Sequence, residues 1–288
     1  MHGTDPATHV ATIEALASRR RTQADGGSMV WRTWGEGRPL LLLHGASGSW
    51  THWIRNILPL AEHFRVLAPD MPGFGDSDAL PEPHTAERLA DGVVAGLDEI
   101  LPTPADLDLA GFSLGGIIGG LVAARLGLRV RTLVLLGTAG LDLPFPPLPP
   151  LLRIEPDASA EEAHRAHREN LHRLMIARAD RVDDLALFLQ MDNLRRARFR
   201  SGSIPTSDAL QRALPSVRAR ITGIWGSRDA FVGPYLEDRR RLLTSFERAL
   251  DFRVIEGAGH WITYEAAHDV NAILLDMLRE SDHSSRGD

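Results

Sequence analysis

Leu107-Asp108-Leu109-Ala110-Gly111-Phe112-Ser113-Leu114-Gly115-Gly116 is the stretch that decides the fold. Leu107–Ala110 is a short apolar run of the kind a strand covered on both faces displays. Behind it stands G-x-S-x-G, and then an apolar run that continues to Leu126. A serine on a sharp turn between strand and helix needs small neighbours, because the backbones crowd where the chain reverses. Such a turn exposes the hydroxyl and sets it at a helix N-terminus, where amide N–H groups point outward. Alone, the motif marks no more than a glycine-rich helix start. The strand before it and the helix after it are the context that gives it chemical meaning.

Similar short runs lie on both sides. Met29–Trp34, Leu40–Leu43, Phe64–Ala68, Arg131–Leu136, Ile221–Trp225 and Phe252–Ile255 all read as strands, bounded by Gly, Pro or Asp. Helices fill the intervals. Thr85 caps one that runs to about Ile100, before Pro102; Ser113–Leu126 is a second. A last helix carries Val270, Ile273, Leu274, Met277 and Leu278 along one stripe. A further helix is expected over Ala7–Arg20. The alternation predicts an α/β fold with a mostly parallel sheet. From about Gly140 to Pro215 the pattern changes to polar helical stretches, which predicts a helical cap over one end of the sheet. The expected division is a core of residues 1–139 and 216–288 with a cap of residues 140–215. Leu143–Pro150, LPFPPLPP, reads as a stiff hinge into that cap rather than a partner-binding polyproline motif.

Composition removes whole classes of function. The 288 residues are 43% apolar, enough for one large core, and the formal net charge of −6 argues against a nucleic-acid surface. No cysteine is present, which excludes disulfides and thiol nucleophiles. No lysine is present either: all 32 basic residues are arginine, so Schiff-base and Ser–Lys chemistry are excluded. The first ten residues have neither a basic n-region nor an apolar core, and Gly115–Leu128 is interrupted by Arg125. A cytoplasmic protein without a membrane partner is expected.

A serine hydroxyl needs a base. His260, in Gly257-Ala258-Gly259-His260-Trp261, follows the last strand and returns to the end of the sheet that carries Ser113. The base needs an acid to fix its tautomer, and Asp229, just past Ile221–Trp225, is favoured over Asp142, which follows Arg131–Leu136. The oxyanion formed on attack would be held by the backbone N–H groups of Leu114 and of Ala46, in His44-Gly45-Ala46-Ser47-Gly48. His44 is expected to turn that loop. Asp70–Ser77 is a further glycine-rich turn, read as structural, with Phe74 a possible pocket residue. His164 and His167 have i,i+3 spacing but no third ligand, so neither a metal nor a cofactor is implied.

Taken together, HGASGSW, DMPGFGDSD, GFSLGG, GSRD and GAGHW resemble the α/β-hydrolase fold superfamily in order and spacing, from about Met29 to Leu278. The resemblance implies an eight-stranded, mostly parallel sheet with a helical lid after the sixth strand. The ending GHWITYEAAHDVN also resembles the meta-cleavage-product hydrolases, which break a carbon–carbon bond in dienoic keto acids and bind the substrate carboxylate with a cap arginine. Arg195, Arg196, Arg198 and Arg200 lie in a comparable region. Phe112, Trp261, Arg198 and Arg200 are therefore the expected substrate-binding residues. Two positions depart from that subfamily: Phe112 stands where asparagine is usual, and HGASGS replaces a longer Gly-Pro-Gly loop. The reading that results is a serine hydrolase acting on a small-molecule carboxylic ester, with carbon–carbon hydrolysis of a vinylogous keto acid as the alternative. A cofactor-free perhydrolase or oxygenase, or a non-catalytic binding protein, would use the same fold.

Overall fold

In a computed structural model describing residues 5–101, 105–247 and 249–284 (backbone alone for 280–284), eight strands form one sheet. They are β1 (Ser18–Ala24), β2 (Gly27–Trp34), β3 (Pro39–Leu43), β4 (Arg65–Asp70), β5 (Leu107–Phe112), β6 (Val130–Leu136), β7 (Arg220–Gly226) and β8 (Asp251–Ile255). Their order is β1-β2-β4-β3-β5-β6-β7-β8. β2 is antiparallel to both β1 and β4, and every pair from β4–β3 to β7–β8 is parallel. The expected eight-stranded, mostly parallel architecture is thus the one observed.

The central strands are apolar at every position because both faces are covered. In β3, Leu41 and Leu43 enter one core and Leu40 and Leu42 the other, as a two-residue side-chain period demands. The first core is completed by α3 (Ala86–Ile100) and α4 (Leu114–Leu126), the second by α2 (Ile57–Ala61) and α10 (Ala267–Ser284). Of the α10 stripe read from the sequence, Val270, Leu274, Met277 and Leu278 are fully buried on the sheet, and Ile273 packs partly buried against the same core. The cap of α3 is the expected one: Thr85 accepts the Arg88 N–H at 3.2 Å. The stop assigned to Pro102 lies outside the described residues.

The N-terminus corrects the sequence reading. Helix α1 (Pro6–Ala15) ends at Ala15, not Arg20, and the chain then enters β1. This edge strand, Ser-Arg-Arg-Arg-Thr-Gln-Ala, buries only Thr22, so it lacks the apolar alternation that announces a strand.

Between β6 and β7 the chain leaves the sheet for a helical insertion with α5 (Ala160–Leu174), α6 (Asp184–Arg196) and α7 (Ala209–Ala213). Polar residues punctuate it. Ser159 and Glu162 form a reciprocal capping box at the start of α5, and Asp183 accepts the Ala186 N–H at the start of α6. Leu143–Pro150 runs without regular structure, and its Phe145 ring meets Phe231 edge-on at 6.5 Å. α8 (Leu236–Phe246) and α9 (Ile262–Glu265) complete the chain. Among the described residues, no helix is long and apolar enough to cross a membrane.

Candidate active site

Parallel strands deliver their C-terminal loops to one rim. Leu43 of β3 pairs with Gly111 of β5, Phe112 with Leu136 of β6, Leu136 with Ile224 of β7, and Gly226 with Ile255 of β8. The residues after β3, β5, β7 and β8 therefore emerge together, although they are far apart along the chain.

Ser113 sits at φ 53°, ψ −117°, a conformation that L residues rarely occupy. Its neighbours explain why glycines flank it. A Cβ at Gly111 would lie 2.3 Å from the Gly115 carbonyl oxygen, and one at Gly115 would lie 2.2 Å from that of Leu43. The turn is anchored by the Ser113 N–H, which donates to Leu136 O at 2.8 Å. Leu114 opens α4, so its N–H is one of those a helix leaves without an intrahelical acceptor.

Ser113, His260 and Asp229 form one continuous hydrogen-bonded chain. His260 Nδ1 lies 2.8 Å from Asp229 Oδ2, and His260 Nε2 lies 3.0 Å from Ser113 Oγ. Because Nδ1 donates to the carboxylate, Nε2 is left as the acceptor of the serine proton. Asp229 is fully buried, and its other oxygen accepts the Phe231 N–H at 2.9 Å. The imidazole packs against Phe112 and Phe231, with centroid distances of 5.1 and 4.5 Å. Asp142, the alternative acid, is exposed on the Gly140–Leu143 turn.

The β3 loop is organised by two buried histidines. His44 Nε2 accepts the Met71 N–H at 3.0 Å, so its Nδ1 carries the proton and donates to Gly45 O at 2.8 Å. His52, which the sequence reading passed over, accepts the Gly45 N–H on Nδ1 at 3.2 Å. Burial holds both imidazoles below their ordinary value, His52 well below, with the neighbouring His44 and His260 adding to the effect on His52. Ala46, the residue that follows this held Gly45, is half-buried.

Several expected substrate contacts are directed elsewhere. Trp261 is completely buried: its indole N–H donates to His52 O at 3.1 Å, and its ring lies between His52 and Tyr264. Arg198 and Arg200 are exposed. The Arg198 guanidinium donates to the carbonyls of Gly75 and Ser77, and the Arg200 amide donates to His84 Nδ1 at 3.0 Å. The Arg198 guanidinium is thus committed to the Asp70–Ser77 turn and not to Ser113. Arg195 and Arg196 pair with Asp192, and Arg196 with Asp76 as well. Phe112 is buried between His52 and His260. Phe74 is likewise buried, edge-on to His44 and packed under Phe199.

A strand–turn–helix serine with a histidine and an acid on later strand ends, all on one rim of this sheet, defines a hydrolase of the α/β type. The model of the Alpha/beta hydrolase family matches residues 40–273. The chain belongs to that family, as a hydrolase distantly homologous to the meta-cleavage product hydrolases. It is 31% identical over 264 residues to a 2-hydroxymuconate semialdehyde hydrolase of Pseudomonas sp. (strain CF600), covering 86% of this chain and 89% of the relative. It is 28% identical over 255 residues to the dihydrolipoyllysine-residue acetyltransferase component of an acetoin cleaving system of Pseudomonas putida. That match takes in 85% of this chain but only 64% of the relative's length. A solved esterase from Thermogutta terrifontis superposes with a TM-score of 0.67 at 23% identity, over 92% of this chain and 99% of the esterase.

Proposed function

We propose that the chain is a serine hydrolase that cleaves small-molecule carboxylic esters through an acyl-enzyme. The observation that carries this reading is the relay from Asp229 Oδ2 through His260 to Ser113 Oγ, at 2.8 and 3.0 Å. Ser113 Oγ attacks the ester carbonyl as His260 Nε2 takes its proton, and buried Asp229 stabilises the imidazolium. The developing oxyanion is held by the N–H groups of Leu114 and Ala46, each donor of this kind supplying about 3 kcal/mol of barrier lowering. His260 returns the proton to the departing alkoxide, and water, deprotonated by the same imidazole, releases the acid and restores Ser113.

A second reading, carbon–carbon hydrolysis of a vinylogous keto acid, is favoured by the name of the 31% identical relative. The ester reading is preferred because a keto acid needs a cation for its carboxylate, and Arg195, Arg196 and Arg198 are engaged with carboxylates or carbonyls of the chain itself.

The test compares wild type with Ser113→Ala on short p-nitrophenyl esters and on a 2-hydroxy-6-oxo-dienoate. Wild-type turnover of the ester, lower by about 10⁴-fold or more in the variant, is expected. Equal ester turnover in the two proteins would sink the triad assignment, and turnover of the dienoate alone would transfer the preference to carbon–carbon cleavage. Stoichiometric labelling of Ser113 by a fluorophosphonate separates either enzyme from a binding protein on the same fold.

A further inference from the structure

Both neighbours of His260 are tied to the same short piece of the cap. On one side, the Trp261 N–H donates to Met175 O at 2.7 Å. On the other, the Gly259 N–H donates to Glu265 Oε2 at 2.7 Å. That oxygen also accepts the Ala177 N–H at 3.1 Å, and Oε1 accepts the Arg178 N–H at 2.8 Å. Glu265 is 6% exposed, so these three amides are what replaces water around its carboxylate. The approach is close enough to require glycine. A Cβ on Gly259 would stand 2.6 Å from Ala177 N and 3.0 Å from Met175 O. Residues 175–178 follow α5 in the cap, whereas Gly259 to Glu265 belong to the loop and short helix after β8.

We propose that Glu265 is a positioning residue that makes the geometry of His260 depend on the seating of the cap. The proposal rests on the triad reading above. Glu265 is six residues away from Gly259 in sequence and touches none of the reacting atoms. It acts by collecting amides from the cap turn and from the histidine loop on one carboxylate, so that the loop is fixed only where the cap turn is fixed. Removing that acceptor takes the partner from the buried Gly259 N–H and from the part-buried Ala177 and Arg178 N–H groups, and the loop gains freedom next to the imidazole that must meet Ser113. The same linkage gives the cap a route to the chemistry that is separate from substrate binding: a cap lifted at residues 175–178 takes the general base out of register.

The experiment uses the full chain and Glu265→Gln, which keeps the shape but turns an NH₂ toward donors. Folding is checked by circular dichroism and melting. The expected result is a folded protein whose kcat on p-nitrophenyl acetate falls by about tenfold or more while KM stays within about twofold. The downfield proton resonance of His260 Nδ1–H, a direct report on its bond to Asp229, moves upfield or broadens. A purely structural glutamate would lower the melting temperature and leave kcat and this resonance of the folded protein alone. Wild-type kcat together with an unmoved resonance overturns the proposal. If Glu265→Gln does not fold, Gly259→Ala, which wedges the same contact from the loop side, carries the same expectation, and wild-type behaviour there overturns it equally. If the wild type hydrolyses no ester, the resonance still decides: displacement in the variant supports the brace while the ester reading alone fails.

Discussion

Gly45 has both ends of its peptide environment held by imidazoles, His44 at its carbonyl and His52 at its N–H. His52 must be neutral, since a protonated Nδ1 would present a proton to the amide it now receives, and His44 must be neutral to accept the Met71 N–H on Nε2. His52→Phe tests this: the ring remains between Phe112 and Trp261, but the acceptor is gone. We expect kcat on a p-nitrophenyl ester to fall by about tenfold with KM within about twofold, because the loop that carries Ala46, the proposed oxyanion donor, loses its anchor. Steady-state kinetics showing unchanged kcat would remove His52 from any role in the site. The same residue marks where sequence reading stops. Ser113, Asp229 and His260 were legible because each lies on a glycine-bearing turn at a strand end, where backbone crowding leaves a recurring pattern. His52 lies in the Trp50–Trp53 turn and works by accepting a backbone N–H, which no side-chain pattern announces. The surroundings of Trp261, Arg198 and Arg200 are illegible in the sequence for a related reason. The first two give their hydrogen bonds to carbonyls, and Arg200 is held by its own amide. Partners on the main chain cannot be read from residue types.

Among elements, the central parallel strands were readable because burial on both faces forces apolar runs, while β1 was not, being an edge strand of arginines. Cap packing was least readable, since it depends on single polar contacts. α6 illustrates this. Its Asn193 is 2% exposed, accepts Ser49 Oγ at 2.7 Å and donates to Thr51 Oγ1 at 3.1 Å. The contact seats α6 on the turn that follows the Ala46 loop, from the last turn of a helix otherwise held by Ala186, Leu187 and Leu189. Asn193→Ala leaves two buried hydroxyls with each other as their remaining side-chain partner and should cost about 1–3 kcal/mol of stability. Urea titration measures that loss, and hydrogen exchange should show it concentrated in α6 as lowered protection. A change below about 0.5 kcal/mol, the scatter of ordinary surface substitutions, would show that the apolar face alone seats the helix.

For the whole molecule, acid should act in two separate windows, because the buried titrating groups differ in kind. Burial lowers the folded-state values of His44 and His52 from the ordinary 6.5, with Asp70 partly opposing this at His44. A group whose folded value is depressed binds fewer protons folded than unfolded, so stability is complete above 6.5 and drains as pH falls below it toward the folded values. Asp76 belongs to the second window. Burial alone would raise its carboxyl, but Arg32, Arg196 and Arg19 outweigh burial and hold it below the ordinary 3.8. This one carboxylate joins edge strand β1, strand β2 and cap helix α6, so its contribution is present above 3.8 and is lost only in stronger acid. The urea midpoint should therefore decline already between about pH 7.5 and 5.5, where unperturbed carboxylates stay ionised. His52→Phe removes the larger histidine contribution and should flatten that decline, while leaving the steeper loss below pH 4 in place. A wild-type midpoint that is level down to pH 5.5 would mean the two imidazoles under the Ala46 loop pay no cost to become charged, and the neutral clamp on Gly45 would have to be abandoned.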